Sequence, residues 1–170
     1  MDDPLRELPA GIELRPTQLA DRDFLLQLYA GTRADEMAIV PWSEADKAAF
    51  IEQQFTAQDN AYRGTYPAGE FLVVVAGAKP IGRLYLARLE DELRVVDIVL
   101  EPAQRGQGAG SRLMEWLIAR ADSDGLAVTL HVEYWNPAHA WYERLGFATV
   151  ERRGIYEFMR RPARTQLKTD

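Results

Sequence analysis

Apolar residues recur along the chain in two rhythms, and the switches between them outline the elements. Ile12–Arg15 is a short extended run, ended by Pro16. Phe24, Leu25, Leu28 and Tyr29 then fall at helical spacing, with Asp21 placed to cap the helix. Ser43, with Asp46 three residues on, resembles a capping box and opens a second helix through Ala48, Phe50, Ile51 and Phe55. Between the two, Met37–Trp42 is apolar but holds a proline and reads as a loop. From Phe71 the rhythm changes. Phe71–Ala76 is a continuous β-prone run, Gly77-Ala78-Lys79-Pro80 a turn, and Ile81–Leu89 a second strand. Glu90-Asp91-Glu92 turns the chain into Leu93–Leu100, completing an expected antiparallel meander. Gly108–Ser123 returns to helical spacing, with Leu113, Leu117 and Ala121 four apart and Met114 four before Ile118. Val128–Glu133 is a strand. Asn136-Pro137 opens a helix that Gly146 stops, and Ala148–Arg152 with Ile155–Arg160 form a hairpin about Arg153-Gly154.

That order predicts a mixed sheet with helices on its faces. At 170 residues, without repeats or a linker, the chain is expected to form a single domain over 1–170, with mobile ends at 1–10 and 162–170. Cysteine is absent, which excludes disulfides, thiolate metal sites and cysteine thioester catalysis. The acidic start and the lack of an apolar run near 20 residues favour a cytoplasmic protein that neither enters a membrane nor is exported. A net charge of −6 argues against nucleic acid as a partner. The charge is uneven: the first hundred residues hold 10 Lys and Arg against 17 Asp and Glu, the last seventy 10 against 9.

The most informative stretch is Gln104-Arg105-Gly106-Gln107-Gly108-Ala109-Gly110-Ser111, between a predicted strand and a predicted helix. Such a turn gathers backbone N–H groups at a helix N-terminus, whose dipole favours an anion such as phosphate. A nucleoside-triphosphate loop would need Lys-Ser/Thr after its last glycine, whereas Gly110 is followed by Ser111-Arg112. A dinucleotide loop would sit on the first strand of a βαβ unit, and this turn follows a meander.

Arg105-Gly106-Gln107-Gly108-Ala109-Gly110 resembles the Arg/Gln-x-x-Gly-x-Gly/Ala acyl-CoA loop of the GNAT superfamily of N-acetyltransferases, and Ile98-Val99-Leu100-Glu101-Pro102 resembles the lead into it. Some thirty residues on, Asn136-Pro137 with Tyr142-Glu143-Arg144-Leu145-Gly146-Phe147 resembles the second signature of that family. The resemblance implies an α/β (α+β) fold: a mixed, mostly antiparallel sheet of six to seven strands with about four helices on its faces. It implies acetyl-CoA as co-substrate; with no thiolates and only two histidines, neither in a ligand spacing, no metal is expected. The backbone amides of Arg105, Gly106, Gln107, Gly108, Ala109, Gly110 and Ser111 would hold the CoA pyrophosphate. The backbone of Ile98, Val99 and Leu100 would pair with the pantetheine arm. Asn136 would touch the pantetheine or acyl region, cap its helix, or do both.

An alkylammonium has a pKa near 10.4 and must lose a proton before it attacks, while a departing thiolate gains from receiving one. Tyr142 occupies the family position for the acid, and also lies where a buried aromatic would. Glu133, at a strand end, and Asp97, just before the pantetheine segment, are the candidate bases, each with a surface-carboxylate alternative. His131 and His139 lack metal-ligand spacing and are read as structural. Without a cysteine nucleophile, direct transfer in a ternary complex is expected. Tyr29, Met37, Trp42, Tyr62 and Tyr66 either line an acceptor cleft or pack in the core. The acceptor is expected to be a small-molecule or peptide amine. The alternative function is a non-catalytic acyl-CoA sensor or interaction module. A homodimer through Ile155 and Phe158 rests on the resemblance alone.

Overall fold

The computed structural model describes residue 8 and residues 10–164. Residues 1–7, 9 and 165–170 of the ends expected to be mobile lie outside the described residues. In chain order the elements are β1 (Ile12–Pro16), α1 (Arg22–Thr32), α2 (Ala34–Ala38), α3 (Glu44–Thr65), β2 (Glu70–Ala76), β3 (Lys79–Arg88) and β4 (Glu92–Leu100). There follow α4 (Ala109–Ser123), β5 (Ala127–Glu133), α5 (Ala138–Arg144), β6 (Ala148–Arg153) and β7 (Tyr156–Arg161). Single 3-10 turns occupy Leu19–Asp21 and Pro102–Gln104. The strands form one seven-stranded sheet in the order β1-β2-β3-β4-β5-β7-β6. The β4–β5 pair is parallel, whereas β1–β2, β5–β7 and β6–β7 are antiparallel. The expected class of fold is the observed one, with five helices instead of about four.

Contacts divide the chain into two compact units, one of residues 11–85 and 97–109, the other of 86–96 and 110 onward. In the first, Leu25, Tyr29, Met37, Ile51 and Phe55 form the buried cluster joining α1, α2 and α3. Ser43 caps α3 as its sequence suggested, its hydroxyl accepting from the Asp46 N–H at 3.1 Å. Two expectations need correcting. Met37, read as part of a loop, is helical and buried, because α2 turns its side chain into that cluster. Asp21 does not cap α1: its carboxylate instead takes the Gln18 N–H at 2.7 Å and both terminal nitrogens of Arg15 at 2.8 Å.

In the second unit, Leu113, Met114, Leu117 and Ala121 give α4 a fully buried face, and Val128 and Met159 are equally buried on β5 and β7. Arg161, 4% exposed, clamps Asp122 with two hydrogen bonds of 2.8 and 3.1 Å and donates a third, at 3.1 Å, to the Leu145 carbonyl. Burial pushes the Asp122 pKa up, but Arg161 and the Arg164 amide outweigh it and hold the carboxyl below its ordinary value. Removing one member of such a pair strands the other charge, so Arg161→Leu should cost about 3 kcal/mol of stability. A depressed carboxylate stabilises the fold above its unfolded pKa, near 4, and loses that contribution as pH falls through the folded value. Thermal melts of wild type and Asp122→Asn between pH 6 and 2 should therefore show a large gap at pH 6 that narrows in acid.

Candidate active site

In the unit holding residues 97–109, β4 runs out through Ile98, Val99 and Leu100 into the 3-10 turn Pro102–Gln104 and then the glycine turn. The segment is braced from within. Glu101 N–H donates to the Ile81 carbonyl at 2.8 Å, and Gln107 Nε2 to the Ala103 carbonyl at 3.0 Å. Gly106 and Gly108 both take left-handed backbone conformations, φ +75° and +80°. A Cβ built at Gly106 meets no atom within 4 Å, so the turn is open on that side. Successive N–H groups in a turn of this kind form an anion-binding concavity. The first-turn amides of α4, from Ala109, have no intrahelical acceptor. No carboxylate lies between Glu101 and Glu115, and Arg105 and Arg112 fall in that interval. Shape and charge both fit a pyrophosphate.

Arg105 departs from the expected set of amide donors. Its own N–H donates to the Pro102 carbonyl at 3.2 Å, and its Nε to the Leu100 carbonyl at 3.2 Å. Beside this segment a cavity of about 400 Å³ lies between Phe24, Leu28 and Gly31 of α1 and Pro102, Ala103 and Arg105.

Asp97 faces a partner that the sequence reading passed over. Arg83 of β3, side chain 3% exposed, forms an ion pair with Asp97 and donates to Gln58 Oε1 at 2.9 Å. Its guanidinium lies 5.0 Å from the centre of the fully buried Tyr85 ring. Burial raises the Tyr85 pKa, and its hydroxyl has no hydrogen-bond partner among the described residues. The available signal was a lone arginine inside an otherwise apolar strand, Ile81-Gly82-Arg83-Leu84-Tyr85-Leu86.

The other unit brings Glu133, Asn136 and Tyr142 onto consecutive elements. The register of β4 with β5 runs from Glu92↔Ala127 to Val95↔Leu130, and β5 continues to Glu133 against Tyr156 of β7. Asn136 does two things: Oδ1 accepts the Ala138 N–H at 2.9 Å, opening α5, and Nδ2 donates to Glu133 at 3.4 Å. Tyr142 is 8% exposed, its ring 5.0 Å from that of Trp141 and 5.7 Å from that of Phe147. The Phe147 N–H donates back to the Tyr142 carbonyl at 3.1 Å, and Gly146 closes the helix.

The histidines hold structure. His139 Nε2 bonds to Glu157, and His131 stacks at 4.9 Å on Phe158 with its pKa lowered first by burial and then by Arg94. Of the two residues expected at a dimer contact, Ile155 is exposed and Phe158 half-buried. Tyr29 and Met37 are core, while Trp42 is 47% exposed with its ring 5.4 Å from that of Phe50. Among the described residues, no three His, Asp or Glu gather to hold a metal ion, and no helix is long and apolar enough to cross a membrane.

The family model described as "Acetyltransferase (GNAT) family" matches residues 28–147, both signatures included, and the chain belongs to that family of N-acetyltransferases. No curated protein matches the chain. Among solved structures it is similar to the PaiA N-acetyltransferase of Thermoplasma acidophilum in complex with coenzyme A, at 18% identity and TM-score 0.65, over 89% of this chain and 98% of that one. An acetyltransferase from Thermus thermophilus gives 18% and 0.63, over 89% and 97%. Ard1 from Thermoplasma volcanium gives 16% and 0.60, over 91% and 99%. At these identities the likeness is one of fold.

Proposed function

We propose that the protein moves an acetyl group from acetyl-CoA to a primary amine, by direct transfer in a ternary complex. The observation that most supports this is the turn of Gly106 and Gly108, both left-handed and open at Gly106, running into the first turn of α4. Acetyl-CoA supplies an acetyl group activated as a thioester. Gly106 to Ser111 hold its pyrophosphate through backbone N–H groups. Arg105 is reassigned to shaping the turn, since its amide is already engaged. The backbone of Ile98, Val99 and Leu100 orients the pantetheine arm.

Glu133 takes the proton an alkylammonium must lose, directly or through one water. It is preferred to Asp97 because a carboxylate paired with a buried guanidinium is a weak base. Asn136 orients the Glu133 carboxylate and caps α5 in one placement. Tyr142 gives its phenolic proton to the departing CoA thiolate, which leaves as the thiol. Replacing Glu133 by Gln should lower turnover about 10²-fold at pH 7, while Asp97→Asn, where folded, should lower it less. A larger loss in Asp97→Asn returns the base to Asp97, and full turnover in both variants returns it to water. The acidic first hundred residues favour a cationic acceptor, a small-molecule or peptide amine, in the cytoplasm. Thiol release from acetyl-CoA across an amine panel tests the whole reading. CoA binding without turnover for any amine would instead support the acyl-CoA sensor.

A further inference from the structure

β3 is apolar and buried through most of its length, yet it contains a glycine where a strand gains nothing from one. Its surroundings give the reason. A Cβ at Gly82 would overlap the Val99 carbonyl oxygen, and would lie 2.7 Å from Leu100 Cδ2 and 3.1 Å from Leu100 Cα. Two of these three contacts are with backbone, which cannot swing aside as a side-chain tip does. Any other residue at 82 therefore forces one strand to move. β3 is the harder to displace: Ile81, Leu84 and Leu86 are at most 1% exposed, and the Ile81 carbonyl holds the Glu101 N–H. The displacement would fall on Val99 and Leu100.

We infer that Gly82 is a positioning residue for the acyl donor. Its missing side chain lets Val99 and Leu100 lie against β3, and that contact sets the direction of the backbone groups offered to the pantetheine arm. The inference rests on the donor-site reading above. A Cβ at Gly82 meets Val99 and Leu100 and no atom of the phosphate turn. That turn is held by its own bonds, from Arg105 to Pro102 and from Gln107 to Ala103, and reaches Leu100 through the Arg105 Nε bond to its carbonyl. The larger effect therefore falls on one part of the donor. Substitution should weaken recognition of the pantetheine arm and spare recognition of the phosphates.

Calorimetry on the full chain with two probes tests this: coenzyme A, and adenosine 3′-phosphate 5′-diphosphate, which keeps the pyrophosphate and lacks the arm. Gly82→Ala should weaken CoA binding by about tenfold or more, a loss of about 1.4 kcal/mol, and leave the nucleotide within about threefold of wild type. Gly64→Ala, at a helical glycine with nothing within 4 Å of its Cβ position, should change neither. Unchanged CoA affinity in Gly82→Ala overturns the inference. So does an equal loss for both probes, which would mark a general structural defect. Failure of the wild type to bind CoA would overturn the donor-site reading instead. If the single variant is insoluble, Gly82→Ala with Leu100→Ala, which removes the side-chain clash and keeps the two backbone ones, is judged by the same two affinities.

Discussion

Tyr142→Phe should lower kcat by about 10²–10⁴-fold, the range for a lost general acid, and leave CoA affinity nearly unchanged. The substitution suits the question because the ring is held by packing. Trp141 and Phe147 flank it, and only 8% of the residue is exposed, so phenylalanine fills the same space. What disappears is one O–H. α5 is short, Ala138–Arg144, and pinned at both ends, by the Asn136 side chain at the start and by the Gly146 and Phe147 amides at the close. The phenol is therefore carried on a rigid support, as delivery to one particular sulfur requires. Steady-state kinetics separate the outcomes. A loss confined to KM would make Tyr142 a binding contact. Turnover within about threefold of wild type would mean that the thiolate, with a thiol pKa near 8.5, leaves unaided.

Gly108→Val should weaken CoA binding by at least about tenfold, or 1.4 kcal/mol. Two effects add. A β-branched residue at φ +80° is strained, because only glycine enters the left-handed region without steric cost. The new side chain also stands where a phosphate must approach the backbone. Arg105→Ala should cost less in affinity, since the lost Nε bond to Leu100 supports the turn and its amide bond to Pro102 remains. Calorimetry on folded variants measures both, and equal affinity for wild type and Gly108→Val would remove the turn from the donor site.

The parts of this picture legible in the sequence are those governed by neighbours along the chain. Ser43 and Asn136 announce helix starts because a cap bonds an amide only two or three residues away. The glycine turn is legible for the same reason. Asp21 misled because a carboxylate before a helix has two local uses, and Arg15 drew it to the other. Met37 misled because tertiary burial in the α1–α3 cluster outweighed the loop-like composition around Pro41. Arg83 and Gly82 were out of reach altogether. Their meaning depends on what β4 places beside them, at Asp97, Val99 and Leu100, some fifteen residues on. No local pattern reports that distance. Choosing between Glu133 and Asp97 likewise required seeing which carboxylate a buried guanidinium already holds.

The central claim, direct acetyl transfer to a primary amine, is tested by an acetyl balance. The enzyme is incubated with acetyl-CoA and a reactive amine from the panel. Released thiol is titrated, the amine product quantified, and the intact chain weighed by mass spectrometry during turnover. Direct transfer predicts one acetylated amine per thiol released and an unmodified chain throughout. Thiol released without acetylated amine, or an acetyl group found on the chain that chases into product, would contradict it.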